Sequence, residues 1–559
     1  MGSVNLSPRT GRVALVLIVV AWLGASWWAR REYLPYDVKN TDVGAFLFQA
    51  RTFAGGRLWR DTPEPREFFQ QWQAIVRDRS HAYYPPVHAL LLAVPIRMGL
   101  DPWLLPWILS AGGLILLYFW CERLVSPAAA FLAVLSLALS PFFAANGPSL
   151  LSHSSCLFLT LLFLWSVIRW QQEGRARSAF LSGLTLGLVF ANRPINAIAL
   201  GMTWVPWLVW TRRNTWKNEI HSYAALVGAS FIMFLLLLGY YHAVSGRWTL
   251  ELFTDYWPRN RFGFGQSLGR GEPGHYFQTY ANHDWNGWLA NLKYSFRSLA
   301  QWWTGHVWVS LLLLLLLFFL AGKKTIQSLI THHPSLHLLF PLIAWPLLHI
   351  ILYAFYFTQS TIFTGPRYLF EIIPVLALAG GWGLWRMSDS RVGRWLFPVF
   401  SVLIIWSCAD FQRAFYLQNA SDLPVRRQLE QTVLREARLP ALVFLRSFWL
   451  GHPFPIFLNQ PDLNGPILYA CDRGSEDRRL ADKYPERNAY ILAILPLPDK
   501  KVGIELIPIY DATARKWLRE PEKISAQFYL GSRFTQPIEL HGEIARKLFS
   551  PRPEEIEPQ

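Results

Sequence analysis

The sequence predicts an α-helical polytopic membrane protein of about eleven spans, with a small extracytoplasmic α/β domain at its C-terminus. Three observations carry this. Of 559 residues, 52% are hydrophobic and 16% aromatic, and the apolar residues fall in blocks rather than in alternation, the pattern of lipid-facing helices. Lys and Arg sit in short clusters between those blocks, as topology demands. After about residue 410 the apolar runs shorten to strand length and are separated by Pro and charged turns. The division is therefore a membrane domain over 1–409, with external loops 30–102 and 244–303, and a separate domain over 410–559.

The formal charge of +16 is not gathered into one tract, which argues against a nucleic-acid partner and for topological charge placement. Of four cysteines, Cys121, Cys156 and Cys408 lie in or beside apolar segments and Cys471 does not, so neither a disulfide framework nor a Cys-based metal site follows. The first apolar stretch follows Arg9 and Arg12 and ends in Trp27-Trp28-Ala29-Arg30-Arg31. That is a poor cleavage site, and the segment reads as a retained signal anchor.

In chain order the apolar blocks predict spans near 13–29, 103–121, 128–145, 151–168, 178–191, 195–210, 220–243, 304–321, 337–357, 368–385 and 394–409. With the N-terminus inside, the cytoplasmic loops hold Arg123, Arg169/Arg175/Arg177, Arg212/Arg213/Lys217, Lys323/Lys324 and Arg386/Arg391/Arg394. The short outer turns hold only Arg193 and Arg367. This assignment requires that Val87 to Met98 does not cross; at about 12 residues it is well short of the roughly 20 a spanning helix needs. The N-terminus is then cytoplasmic and all the large loops, with the C-terminal domain, are extracytoplasmic.

In the first external loop, Val43, Phe46, Leu47, Ala50 and Phe53 share one helical face and Gly55-Gly56 stops the run. The spacing predicts an amphipathic helix on the membrane surface, with Asp42 at its N-terminus. Such a carboxylate is either a helix cap, worth about 1 kcal/mol, or a functional acid.

The stretch Thr41-Asp42-Val43-Gly44-Ala45-Phe46-Leu47-Phe48-Gln49-Ala50-Arg51 to Trp59, followed by Tyr84-Pro85-Pro86-Val87-His88, resembles the first external loop of GT-C glycosyltransferases. That class contains protein O-mannosyltransferases and lipid A aminoarabinose transferases. Asn192-Arg193-Pro194 in a helical hairpin turn, Gly365-Pro366-Arg367-Tyr368 before a late span, the turn Asn146 to His153, and the loop Asp255 to Gly265 extend the resemblance over roughly residues 30 to 385. There are two departures. Asp42 is followed by Val43 where many members carry an Asp-Glu pair, and Asn146-Gly147-Pro148-Ser149-Leu150 lacks the second acidic residue common in that loop. A divalent metal, possible in the class, is put in doubt by both.

The resemblance implies a bacterial inner-membrane enzyme that moves a sugar from a polyprenyl-phosphate donor to a glycan, lipid or protein acceptor by inversion. Such a reaction needs a carboxylate base, cations for the departing phosphate, and a site at the membrane surface. It implies Asp42 as that base. Arg193, Arg367, Arg259 and Arg261 are the candidate phosphate ligands, and Tyr84, His88, His153 and Tyr368 the residues that position substrate. Each has a plainer alternative. Arg193 could snorkel to headgroups, Arg367 could anchor a helix end, the histidines could be satisfied structural groups, and Arg259 with Arg261 could form a solvated basic loop or one that closes over donor.

In the C-terminal domain, Ala441–Leu445, Pro466–Ala470 and Ala489–Ala493 read as strands, and Arg413 to Arg438 as a helix joining the domain to the last span. No catalytic spacing occurs there; acceptor recognition is the role expected of it. Two other classes fit parts of the pattern. A transporter or flippase should show broken helices in both halves, but only the 178–210 hairpin is short. A lipid-linked glycan polymerase or ligase would share both substrates and layout; the helix led by Asp42 directly after the first span favours the GT-C reading.

Overall fold

The computed structural model describes residues 6–35, 41–69, 74–76, 78–215, 219–250, 252, 254, 257–270, 279–320, 336–358, 364–389, 393–420, 423–445, 459–460, 462–496, 502–524, 526–528 and 538–540. Lys217, Asp255, Tyr256, Lys323, Lys324 and Arg391, used in the sequence argument, lie outside the described residues.

The first span is α1 (Pro8–Tyr33), entered through Ser7, whose hydroxyl accepts from the Thr10 amide at 3.1 Å, with Pro8 in the first turn where its missing N–H costs nothing. The first external loop holds α2 (Thr41–Ala54), a three-stranded sheet of β1 (Arg60–Asp61), β2 (Ala74–Val76) and β3 (Arg79–Ala82) in the order β1-β3-β2, and α3 (Pro86–Arg97). The membrane core continues with α4 (Leu104–Leu124), α5 (Pro127–Leu139), α6 (Pro141–Asn146), α7 (His153–Glu173), α8 (Ala176–Phe190), α9 (Pro194–Thr211) and α10 (Ile220–Ser245). The second loop carries the hairpin β4 (Gly265–Arg270) and β5 (Thr279–His283) and the helix α11 (Trp285–Thr304). Then come α12 (Val307–Leu320), α13 (Leu336–Ala354), a 3₁₀ turn over Arg367–Ile372, α14 (Ile373–Asp389) and α15 (Gly393–Ala420).

Within the described residues every expected apolar block is helical. Six helical segments are long and apolar enough to cross a membrane by length and composition: Pro8–Tyr33, Leu104–Leu124, His153–Glu173, Ile220–Ser245, Arg367–Ser388 and Gly393–Ala420. The others are shorter, α3 among them. The block expected over 128–145 is not one helix. Pro141 pushes Ser140 out of the helical region, to φ −60° and ψ 128°, and the chain restarts as α6.

The surface placement of α2 is also corrected. Val43, Phe46, Ala50 and Phe53 enter the membrane core with Trp22 and Phe143, and Ala45 and Phe48 on the opposite side enter a second core. A helix apolar on both sides is buried rather than laid on a surface.

That second core belongs to the C-terminal domain. After α16 (Leu423–Glu436), the strands β6 (Ala441–Leu445), β7 (Ile467–Cys471), β8 (Asn488–Pro496), β9 (Val502–Asp511) and β10 (Lys516–Trp517) form a sheet in the order β10-β9-β8-β6-β7. The first three are mutually parallel through β6, and β9 returns antiparallel on β8. Alternation along β6 divides its side chains. Leu442 and Phe444 face Phe48, Phe68 and Phe69 of the first loop, while Ala441 and Val443 pack on Leu429 and Val433 of α16. The linking helix expected over Arg413 to Arg438 is the tail of α15 followed by α16.

Candidate active site

Three chain segments converge beside α2. The turn between α8 and α9 presents Arg193 in extended conformation before Pro194. The start of α7 presents Ser152 and His153. The third is the 3₁₀ turn, which presents Arg367 and Tyr368 after Gly365. That glycine has φ +74°, and a Cβ there would stand 2.4 Å from the Trp302 ring, so only glycine lets the turn pack.

The convergence encloses a cavity of about 280 Å³. Asp42, Tyr84, His153, Arg193, Arg367 and Tyr368 line its polar part, and Phe190, Ile195, Ile198 and Leu250 stand in its apolar wall. Asp42 Oδ2 lies 2.8 Å from Arg367 Nη2, both side chains nearly buried. The Tyr84 hydroxyl hydrogen-bonds the same carboxylate; burial first, then the Asp42 charge, hold this phenol well above its usual range and keep it protonated as a donor. Phe46 stacks on Tyr84 with centroids 4.4 Å apart. Asp42 is therefore turned toward Arg367 and Tyr84 at the cavity.

Arg193 Nη1 donates to Ser152 Oγ at 3.1 Å and lies 3.5 Å from His153 Nε2, and its Nε is 3.6 Å from Glu371 Oε1. The Tyr368 ring stands between the two arginines, with guanidinium carbons at 5.5 Å for Arg193 and 5.6 Å for Arg367. Tyr353 stacks on Tyr368 at 5.1 Å and donates to Asn196 Oδ1 at 2.6 Å.

Three expected site residues are elsewhere. His88 is fully buried behind the cavity wall: Nε2 meets the Leu150 carbonyl at 2.8 Å and so carries the proton, and Nδ1 lies 3.0 Å from Ser155 Oγ, which also meets the Ser152 carbonyl at 3.0 Å. It is a satisfied structural histidine. Arg259 and Arg261 are exposed and do not line the cavity, whereas Asn260 and Phe262 between them do. Pro258 and Arg259 form a turn closed by the Asn260 amide on the Trp257 carbonyl at 2.8 Å, and the chain leaves it with Arg259 and Arg261 exposed and Asn260 turned inward. Asn260 is fixed there by the Tyr356 hydroxyl at 2.6 Å.

Glu371 was not singled out in the sequence. It is completely buried, 3.1 Å from His153 Nδ1. Its signal was present as a carboxylate inside a block otherwise apolar enough to span, four residues after Arg367. The donor set does not suit a divalent cation: Asp42 faces one guanidinium, Glu371 faces another, and among the described residues no three His, Cys, Asp or Glu side chains gather.

Residues 84–238 match the family model described as dolichyl-phosphate-mannose-protein mannosyltransferase, and residues 441–501 match one described as a domain of unknown function, DUF7846. No curated protein matches the chain. The crystal structure of ArnT from Cupriavidus metallidurans bound to undecaprenyl phosphate superposes with a TM-score of 0.51 at 13% identity, over 85% of this chain and 92% of that one. The apo form gives 0.51 at 14% identity, over 89% and 98%. At such identity the likeness is one of fold. With helices long and apolar enough to cross a bilayer and this architecture, the chain is a multi-pass membrane protein with the GT-C glycosyltransferase fold.

Proposed function

We propose that the chain is a glycosyltransferase that takes a sugar from a polyprenyl-phosphate donor at the outer face of the bacterial plasma membrane and places it, with inversion, on an extracytoplasmic acceptor. The observation that carries this reading is the meeting of Asp42, Arg193 and Arg367 in one cavity that also has an apolar wall. An anionic head and an isoprenoid tail need those two surfaces side by side. The ArnT structure bound to undecaprenyl phosphate supports the choice of lipid.

In the reaction so proposed, an acceptor hydroxyl attacks the anomeric carbon, Asp42 takes its proton, and the bond from that carbon to the phosphate oxygen breaks. The phosphate leaves with its charge met by the guanidinium groups, so no general acid is required. Asp42 is paired with Arg367 at 2.8 Å. Phosphate that takes over Arg367 frees Asp42 for its role. Tyr84 donates to Asp42 and Tyr368 holds the two arginines apart.

Purified protein in nanodiscs should bind undecaprenyl phosphate, and Asp42→Asn should keep that binding while losing sugar transfer. Asn starts a helix about as well as Asp but cannot take a proton. Failure of the wild type to bind the lipid would overturn the reading.

A further inference from the structure

Two carboxylates belong to this region, and only one opens onto the cavity. Glu371 is 0% exposed and stands behind two residues that line it. Its Oε1 lies 3.1 Å from His153 Nδ1 and 3.6 Å from Arg193 Nε, with Asn196 and Cys156 facing the same carboxylate. An ionised carboxylate only accepts, so His153 carries its proton on Nδ1. The Nε2 lone pair then points at Arg193 Nη1, 3.5 Å away, which also donates to Ser152 Oγ. Arg193 is thus backed by the Glu371 carboxylate, 3.6 Å from its Nε and beyond hydrogen-bond distance, and is held at Nη1 by Ser152, with Tyr368 near its guanidinium.

The arrangement around Arg367 differs. Its carboxylate partner, Asp42, stands in the cavity itself, where an incoming anion can displace it. Glu371 cannot be reached in that way.

We propose that Glu371 is a positioning residue: through Arg193 directly and through His153, it holds the guanidinium with one edge turned to the cavity as a fixed cradle for the donor's phosphate, while Arg367 is the arginine that changes partner. The proposal rests on the polyprenyl-phosphate reading of the cavity. It makes the two arginines unequal. Arg193 is a preformed ligand whose orientation was set on folding, and Arg367 is recruited by the phosphate from Asp42.

The test measures undecaprenyl-phosphate binding to the purified full chain in nanodiscs. Glu371→Gln keeps the size and an acceptor for His153 but removes the charge; it should weaken binding at least tenfold. Arg193→Ala should do the same. Because Glu371 acts through Arg193, the double variant should bind within about threefold of Arg193→Ala alone, the non-additivity expected of coupled groups. A residue that merely fills space would lower the unfolding midpoint, and its loss of affinity would multiply with that of Arg193→Ala. Unchanged affinity in Glu371→Gln, or a multiplicative double variant, overturns the proposal. Should Glu371→Gln fail to fold, the paired replacement Arg193→Leu with Glu371→Leu leaves no lone buried charge; affinity equal to Arg193→Ala supports the proposal, and affinity tenfold lower overturns it. Absence of binding by the wild type is a different failure, that of the cavity reading itself.

Discussion

The two ends of the helical bundle hold the same chemistry in different surroundings. At the end of α7, Glu173 collects Arg169 at 3.0 Å, Arg175 at 3.2 Å and Arg123 at 3.9 Å, with side chains 21% to 54% exposed. At the start of the same helix, the Glu371 to Arg193 pair and the Asp42 to Arg367 pair are no more than 14% exposed. Water screens the first group, and such pairs contribute little beyond anchoring loops on one side of a membrane. The second group sits where a charge without a partner is costly, so each partner is specified. Burial, and not the residue types, separates topology from function.

The sharpest way to break this comparison is Asp42→Asn, which should lower sugar transfer by on the order of a hundredfold or more while leaving lipid binding intact. Near-normal transfer would return Asp42 to the role of a helix-start carboxylate. Next in size, Arg367→Ala should weaken undecaprenyl-phosphate binding about tenfold or more, and Arg367→Lys should recover only part of the loss, because a point charge lacks the planar fork. Full recovery by Lys would mean that charge alone suffices.

His88→Ala tests the division between site and support. Removing the ring takes one hydrogen-bond partner each from the Leu150 carbonyl and the Ser155 hydroxyl and leaves a gap in a buried site, at about 1–3 kcal/mol. The unfolding midpoint should fall while transfer per folded molecule stays near wild type; a selective loss of transfer would restore His88 to the site. Labelling of Arg213→Cys and Arg515→Cys, both at exposed positions, should report opposite faces of the membrane. The same face would remove the sidedness on which the two-end comparison stands. The smallest expected effect is that of Glu173→Gln, which should leave lipid binding within about twofold of wild type, since its arginines remain solvated. A tenfold loss there would show that the two ends are energetically linked.

Much of the membrane domain was legible because lipid imposes a simple rule: a crossing must be apolar and long, and the flanking arginines record its side. Asp42, Arg193 and Arg367 stood out for a related reason, as charged residues at the ends of apolar blocks, and they meet at one cavity. Glu371 was read past because its block is apolar enough on average to span. Arg259 and Arg261 were chosen over Asn260 and Phe262 because charge is visible in a sequence, whereas which side chains a turn directs inward is not.

By itself the sequence determined the helical membrane class, the positions of the apolar helices and three of the five strands of the C-terminal sheet, since these follow from local composition and period. Tertiary structure alone decided that α2 is buried on two faces and that Glu371 stands behind Arg193. Those outcomes depend on residues far apart in the chain: Phe48 meets Phe444 only through the folded sheet, and His153 meets Glu371 only when α7 packs against the 3₁₀ turn. A carboxylate's role is set by what surrounds it, and that is known only once the chain has closed around it.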